Sequence, residues 1–343
     1  FAQTLAIGII ASMFTALVIT RLIVNAFYAV GLRSEKLYYR PKKEREPIDF
    51  LSKKKVFFTI SLVLIAAGLI TIGVNAGRGN GAFAYSLEFQ GGTSTNVTFD
   101  KDYSIDEIDK EIVPVVEKVT GDNNVQTQKV AGTNQVIIKT VTLDLDKREA
   151  LNKAMVDNFG VDESKITAEN ISSTVSNEMR RDAVIAVVIA TICMLLYIWF
   201  RFKDIRFATS AVLALLHDVL VVVGFYAIAR ISVGNTFIAC MLTIVGYSIN
   251  ATIVIFDRIR EEMRGKTKSS DVAAVVNKSI TQTLTRSIYT SLTTFIMVAV
   301  LYVMGVSSIK EFALPLMVGV VCGAYSSVCI TGALWYVMKR FKK

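Results

Sequence analysis

Val245–Glu262 reads "VGYSINATIVIFDRIREE". Its first half lies in an apolar run long enough to cross a bilayer, yet Tyr247, Ser248, Asn250 and Thr252 crowd the middle and Asp257, Arg258 and Arg260 gather at the end. A span with polar groups at depth and charges at one mouth is a pattern of membrane bundles with internal polar sites, and the rest of the chain is organised in the same way. Of 343 residues 52% are hydrophobic, and they come in blocks. A spanning helix needs roughly 20 mainly apolar residues. Seven segments qualify, at about 1–28, 55–76, 182–200, 207–230, 234–256, 287–306 and 311–338. Unpaired amides are too costly in hydrocarbon for these spans to be anything but helices. The first is too long for a signal peptide and lacks a basic leader region. The chain begins at Phe1, inside that span, and so reads as part of something longer.

The loops set the orientation. Segment 29–55 carries nine Lys/Arg against four Asp/Glu, and "RFKDIR" (201–206), the loop after Phe256 and the tail "MKRFKK" are also basic. Basic loops stay in the cytoplasm. Seven crossings then put residues 77–178, and the connectors near 231–234 and 307–311, on the outer side. The net charge of +9 is therefore a topology signal. The basic runs lack the aromatic interleaving of a nucleic-acid surface, so no nucleic-acid partner is expected. Cys193, Cys240, Cys322 and Cys329 all fall in apolar spans without metal-ligand spacing, and His217 is the only histidine. Neither a metal site nor a disulfide framework is expected. With seven spans and no Gly-x4-Gly-Lys-Ser/Thr, a soluble enzyme and a nucleotide-binding site are excluded.

Segment 77–178 differs in kind, with 17 acidic and 10 basic residues. "AYSLEFQGGTSTNVTF" (84–99) is rich in strand formers and broken by Gly91 and Gly92. "SIDEIDKEIVPVVEKVTG" (104–121) opens with a capping-box pair, Ser104 and Glu107, and closes on Gly121. "VQTQKV" and "QVIIKTVTL" flank "AGTN" and read as a hairpin. A second helix follows over 145–160, then the extended "KITAENISS". The order β-α-β-β-α-β is that of a ferredoxin-like α+β domain. Its carboxylates show no matched acid–base spacing and read as a solvated face.

Three spans carry polar groups at depth. His217 and Asp218 sit in the middle of 207–230, where a charge costs several kcal/mol on insertion scales and must face a partner or water. Thr243, Gly246, Tyr247 and Asn250 share one face of 234–256. Arg286, Thr290 and Thr293 form a stripe at the start of 287–306. Hydroxyl stripes serve as interhelical glue, whereas Asp218 and Arg286 invite a functional role; both, with Asn250, are expected to face the bundle interior. Gly319 and Gly323 in the last span, and Gly8, Ala11 and Thr15 in the first, mark faces for close helix approach.

Taken together, "EFQGGT" (88–93), "VSNEMRRDAV" (175–184), "LLHDV" (215–219), "TIVGYSINATIVIFDRIRE" (243–261) and "SITQTLTRSIYTSLTT" (279–294) resemble the SecDF protein-export membrane proteins, specifically their SecF half, across about residues 50–343. Residues 1–30 resemble the last membrane span of a SecD joined to it. The resemblance implies a resistance-nodulation-division-like helical bundle divided as 1–30 (SecD-like helix), 31–54 (basic cytoplasmic linker), 55–76 (first SecF-like helix), 77–178 (extracytoplasmic ferredoxin-like domain) and 179–343 (five-helix bundle). It implies a multi-pass protein of the bacterial plasma membrane that assists late protein translocation or insertion, driven by the proton gradient, with no enzymatic activity and no cofactor. The partners it implies are the SecD half, the SecYEG translocon, a YidC-type insertase, the translocating preprotein and the lipid bilayer. Asn250 matches the family pattern Asn-Asp, but Ala251 stands where the family has a proton-relay aspartate that works with an arginine matching Arg286. Three readings stand open: Asp218 or the SecD half carries protons, coupling is absent, or the residue has been engineered. Proton-relay candidates are Asp218, Asn250, Arg286, His217 and Tyr247. The alternatives are a non-transporting structural subunit of the translocon and an efflux transporter of the same fold.

Overall fold

The computed structural model describes residues 2–34, 38, 46–78, 81–122, 125–130, 132–264, 271–305 and 307–340. It divides into two units, 1–46 and 47–343. The first holds α1 (Ala2–Phe14), a π-helical turn (Thr15–Ile19) and α2 (Thr20–Ala29) in one run. Gly8, Ala11 and Thr15 are exposed, so among the described residues of this unit nothing covers the expected packing face.

The second unit holds the other membrane-length helices. They are α3 (Lys54–Gly77), α8 (Ser173–Phe202), α9 (Ile205–Ala229), α10 (Asn235–Met263), α11 (Val272–Met304), and α12 (Ser307–Tyr325) continued by a π-helical turn (Ser326–Thr331) into α13 (Gly332–Arg340). With Ala6–Ala29, seven segments among the described residues are long and apolar enough to cross a membrane, so this is a polytopic membrane protein. The helices overrun the apolar windows read from sequence. α8 starts at Ser173 and α11 at Val272, because helical hydrogen bonding continues past the hydrocarbon boundary and Ser172 and Asp271 cap the first turns. Helix α9 is the centre: 56% of its apolar window is buried, against 6% for α8. It packs on α3, α8, α10 and α12. Gly68 of α3 and Gly224 of α9 touch backbone to backbone, and a Cβ built on Gly224 would lie 2.8 Å from the Gly68 Cα.

Two apolar clusters fill the bundle. One, toward the cytoplasmic mouth of the predicted topology, stacks Phe207 on Trp335 (ring centres 4.8 Å apart, 17°) and sets it edge-to-face with Phe256. The other joins Phe89, Val222, Tyr226, Met241, Ile244 and Leu316. Between these clusters lie the buried polar residues His217 and Asp218 of α9, Ser248 of α10, and Ser326 and Ser327 of the π-helical turn.

The insert between α3 and α8 contains β1 (Ala84–Tyr85), α4 (Leu87–Gln90), β2 (Gly92–Thr98), α5 (Ile105–Glu107) with a π-helical turn (Ile108–Ile112) and α6 (Val113–Thr120), β3 (Gln126–Lys129), β4 (Gln135–Thr140), α7 (Leu145–Phe159) and β5 (Ile166–Ile171). The four-stranded sheet runs β3-β4-β2-β5, all antiparallel. One face is buried: Thr93, Thr95 and Val97 of β2 and Val136 and Ile138 of β4 alternate inward onto Ile108, Ile112, Val116, Leu151 and Met155. Ser104 and Glu107 form the capping box, and Gly121 and Gly160 end their helices in the left-handed region. The Ser104 amide, Lys101 and the Ser104 hydroxyl hold the Glu107 carboxyl down at about 2.

One element departs from the reading of 84–99 as a single strand. Ala84–Tyr85 leaves the sheet and pairs in parallel with β6 (Ser232–Val233), the link between α9 and α10. The break is structural: α4 intervenes, and Gly91 (φ 76°) and Gly92 (φ 145°) take backbone angles that side chains with a Cβ rarely adopt. Arg180 of α8 reinforces the neck, its Nε donating to the Phe89 carbonyl and its guanidinium lying 4.8 Å from the Tyr85 ring centre.

Candidate functional site: a sealed carboxylate between two apolar clusters

Asp218 is fully buried on α9. A carboxylate there needs donors, and three neighbours supply them. Ser248 of α10 donates to Oδ2 at 2.5 Å, and Ser326, the first residue of the π-helical turn, donates to the same oxygen at 2.7 Å. His217 Nδ1 lies 2.9 Å from Oδ1. The carboxylate therefore ties three elements together through side chains alone. Small residues make this possible: Gly323 packs against Ser248, where an added Cβ would stand 3.2 Å from the serine Cβ. The π-helical turn over Ser326–Thr331 is closed by Thr331 donating to the Ser326 carbonyl at 3.0 Å.

His217 occupies the outer edge of this cluster. Its ring is 6.1 Å from that of Tyr325, whose hydroxyl donates to the Phe57 carbonyl of α3 at 2.8 Å and lies 3.5 Å from Ser61 Oγ. His217 Nε2 is buried and has no hydrogen-bond partner among the described residues. With an ionised Asp218, the proton belongs on Nδ1 and Nε2 keeps a lone pair that nothing satisfies. Tyr247 Oη, Ser287 Oγ and Ser291 Oγ are also buried without partners among the described residues.

The other sequence-predicted residues are not brought to this cluster. Asn250 and Arg286 are exposed, as are Gly246, Thr290 and Thr293. Within this chain, then, Asn250 and Arg286 are not enclosed by the described helices. The buried face of α10 runs through Cys240, Ile244, Ser248, Thr252, Ile255 and Ile259, which turns Gly246 and Asn250 toward the open side and leaves Thr243 and Tyr247 half-buried at its edge. From Thr283 onward the buried positions of α11 are Thr283, Ser287, Ser291 and Val298, so Arg286 points away. Ala251 is half-buried at the edge of the open face. Gly319 and Gly323 do lie on a packing face, against Ile244 and Ser248. Ser326 is the functional candidate that sequence reasoning passed over. Its signal was a Ser-Ser pair in the apolar run "GAYSSVCITGALW". Among the described residues no group of His, Cys, Asp and Glu has a metal-site arrangement.

Fold and site together define a polytopic helical membrane protein with a donor-saturated carboxylate at its centre and a small α+β domain on one side. The family model for the C-terminal part of the SecD/SecF protein-export membrane proteins matches residues 151–341. The chain is 35% identical over 303 residues to protein translocase subunit SecF of Petrotoga mobilis, covering 86% of this chain and 98% of that one. It is 32% identical over 370 residues to protein translocase subunit SecDF of Bacillus subtilis, covering 99% of this chain and 47% of that one. The crystal structure of SecDF, a translocon-associated membrane protein from a Thermus species, superposes with a TM-score of 0.80 at 31% identity, over 99% of this chain and 45% of that one. The chain thus spans nearly the whole of SecF and less than half of SecDF. It belongs to the SecD/SecF family of protein-export membrane proteins.

Proposed function

We propose that this chain is the SecF part of an accessory to the Sec protein translocase. It assists protein translocation across, or insertion into, the bacterial plasma membrane, together with a SecD half and the SecYEG translocon. The carrying observation is the match to SecF along 98% of its length. The domain divisions 1–30, 31–54, 55–76, 77–178 and 179–343 belong to this reading, with 77–178 outside the cytoplasm. So do a YidC-type insertase and a translocating preprotein as partners, and the absence of an enzymatic role. The strand order β3-β4-β2-β5, with α5–α6 and α7 on one face, supports a ferredoxin-like outer domain. The central position of α9 supports a resistance-nodulation-division-like bundle.

In this reading His217 and Asp218 hold the coupling proton. The buried, unpartnered Nε2 accepts it, the carboxylate stabilises the imidazolium through Nδ1, and Ser248 and Ser326 keep the remaining oxygen satisfied. The test is export of a secreted reporter at two proton gradients, in cells lacking their own SecF and supplied with this chain and its SecD half. Asp218→Asn is expected to insert normally and to lose the gradient-dependent gain. Full retention of the gain would move the proton site elsewhere. A second reading, a structural subunit without proton traffic, is favoured by Ala251, which cannot bind a proton, and by the exposure of Asn250 and Arg286. Ala251→Asp separates the two: under proton coupling it raises gradient dependence, and under the structural reading it leaves export unchanged.

A further inference from the structure

The starts of α3 and the end of α13 frame a cleft that the carboxylate cluster does not use. It has a volume of about 360 Å3 and is lined by Lys54, Tyr336, Val337 and Arg340. Lys54 Nζ stands 5.5 Å from the centre of the Tyr336 ring, and the adjacent Lys339 Nζ stands 4.7 Å from that of Trp335. Cations parked on aromatic faces are held in place without being neutralised. Among the described residues, neither Lys54 nor Arg340 has an acidic partner. The contrast with the same end of the other helices is sharp. Arg201 pairs with Asp257, Arg206 with Asp204, Arg258 with Glu261 and Glu262, and Lys278 with Glu262. Helix α3 also starts at this point without a side-chain cap, so the positive end of its dipole adds to the field.

The level of the cleft narrows what can fill it. Both spans, Lys54–Gly77 and Ile309–Arg340, end here, and the ends of apolar spans lie at the depth of lipid headgroups, where tyrosine is at home. A lipid phosphate is already at that depth, and basic pockets between membrane helices on the cytoplasmic side suit anionic headgroups. We propose that the cleft binds the phosphate of an anionic phospholipid. Lys54 and Arg340 meet its charge, the Tyr336 hydroxyl donates to a phosphate oxygen, and Val337 receives the first methylenes of an acyl chain. Arginine offers the phosphate two parallel donors and lysine a point charge.

The experiment counts lipids retained by the delipidated full chain in native mass spectrometry and follows thermal unfolding in detergent. The additives are phosphatidylglycerol, phosphatidylcholine or inorganic phosphate. The expected result is one phosphatidylglycerol retained in preference to phosphatidylcholine, with a rise in unfolding temperature that inorganic phosphate does not reproduce. Lys54→Gln with Arg340→Gln lowers that retention by roughly tenfold or more, while Lys278→Gln, whose ammonium serves Glu262, leaves it unchanged. Should the double variant fail to fold, Arg340→Gln alone lowers retention and Arg340→Lys partly restores it. Equal retention of the two lipids, or undiminished phosphatidylglycerol binding in the charge-free variant, overturns the proposal. Stabilisation by inorganic phosphate as strong as by the lipid overturns it too and assigns the cleft to a soluble anion.

Discussion

Asp218 and Arg286 are both ionisable residues on membrane-length helices, and the fold treats them in opposite ways. Asp218 is fully buried and has three polar neighbours within 2.9 Å. Arg286 is exposed beside Thr290 and Thr293, and the Thr290 hydroxyl donates to its backbone carbonyl. The difference follows from what lies opposite. Around Asp218 the facing positions are serines, with Gly323 allowing α12 to close on α10, so the charge is solvated from within. Around Arg286 the buried side of α11 is already filled by Thr283, Ser287 and Ser291, which leaves the longer side chain on the outside. A charged residue in a span is thus placed by the size of its neighbours before it is placed by its own depth.

The largest effect that sharpens this contrast is on stability. Asp218→Leu strands the Ser248 and Ser326 hydroxyls and the histidine, and is expected to cost about 3–5 kcal/mol. Arg286→Leu is expected to change stability by less than about 0.5 kcal/mol. Thermal unfolding of the two variants in one detergent compares them directly, and equal losses would break the contrast. Glycines give the second test. Gly224→Ala drives a Cβ into the Gly68 backbone at 2.8 Å and is expected to cost about 1–3 kcal/mol. Gly246→Ala meets nothing within 4 Å, and should leave stability unchanged or raise it by up to about 1 kcal/mol through helix propensity. A loss at Gly246 as large as at Gly224 would show that the open face of α10 is packed.

Third in size, Ser326→Ala removes one donor from Asp218 and is expected to cost about 1–2 kcal/mol. Combined with Ser248→Ala, the loss should depart from the sum of the singles by at least about 0.5 kcal/mol, because both hydroxyls serve one oxygen. Strict additivity would mean that the two serines do not share the charge. The smallest effect is at Asn250: Asn250→Ala should fall within about 0.5 kcal/mol of the parent, and a larger loss would place that side chain in a packed contact.

The α+β domain was readable because its signals are local. Ser104 and Glu107 sit three residues apart, Gly121 and Gly160 stop helices, and alternation in Val136–Thr140 marks a half-buried strand. Each of these is decided within a turn or two of chain. The pairing of Ala84–Tyr85 with Ser232–Val233 was not readable, since two residues carry no periodicity and the partner lies far along the sequence. The spans were readable from hydropathy alone. Their facing was not, because the polar stripe Thr243–Gly246–Tyr247–Asn250 has the same helical period as the buried row Ile244–Ser248–Ile255, and period does not say which row meets a neighbour. His217–Asp218 stood out as charge at depth, whereas Ser326 carries no charge and disappears among apolar residues.

The register of the outer sheet has a mechanical consequence. Gly92 at the start of β2 lies opposite Ile171 at the end of β5, so the chain enters and leaves this domain at neighbouring points, about 5 Å apart for a paired antiparallel position. A load drawing those two ends apart acts across the ladder and parts its hydrogen bonds one after another, as a zipper opens, rather than all at once as strands sliding lengthwise would. The domain is weak to a pull on its stalk, and its two ends, residues 91 and 172, stand about a single strand spacing apart.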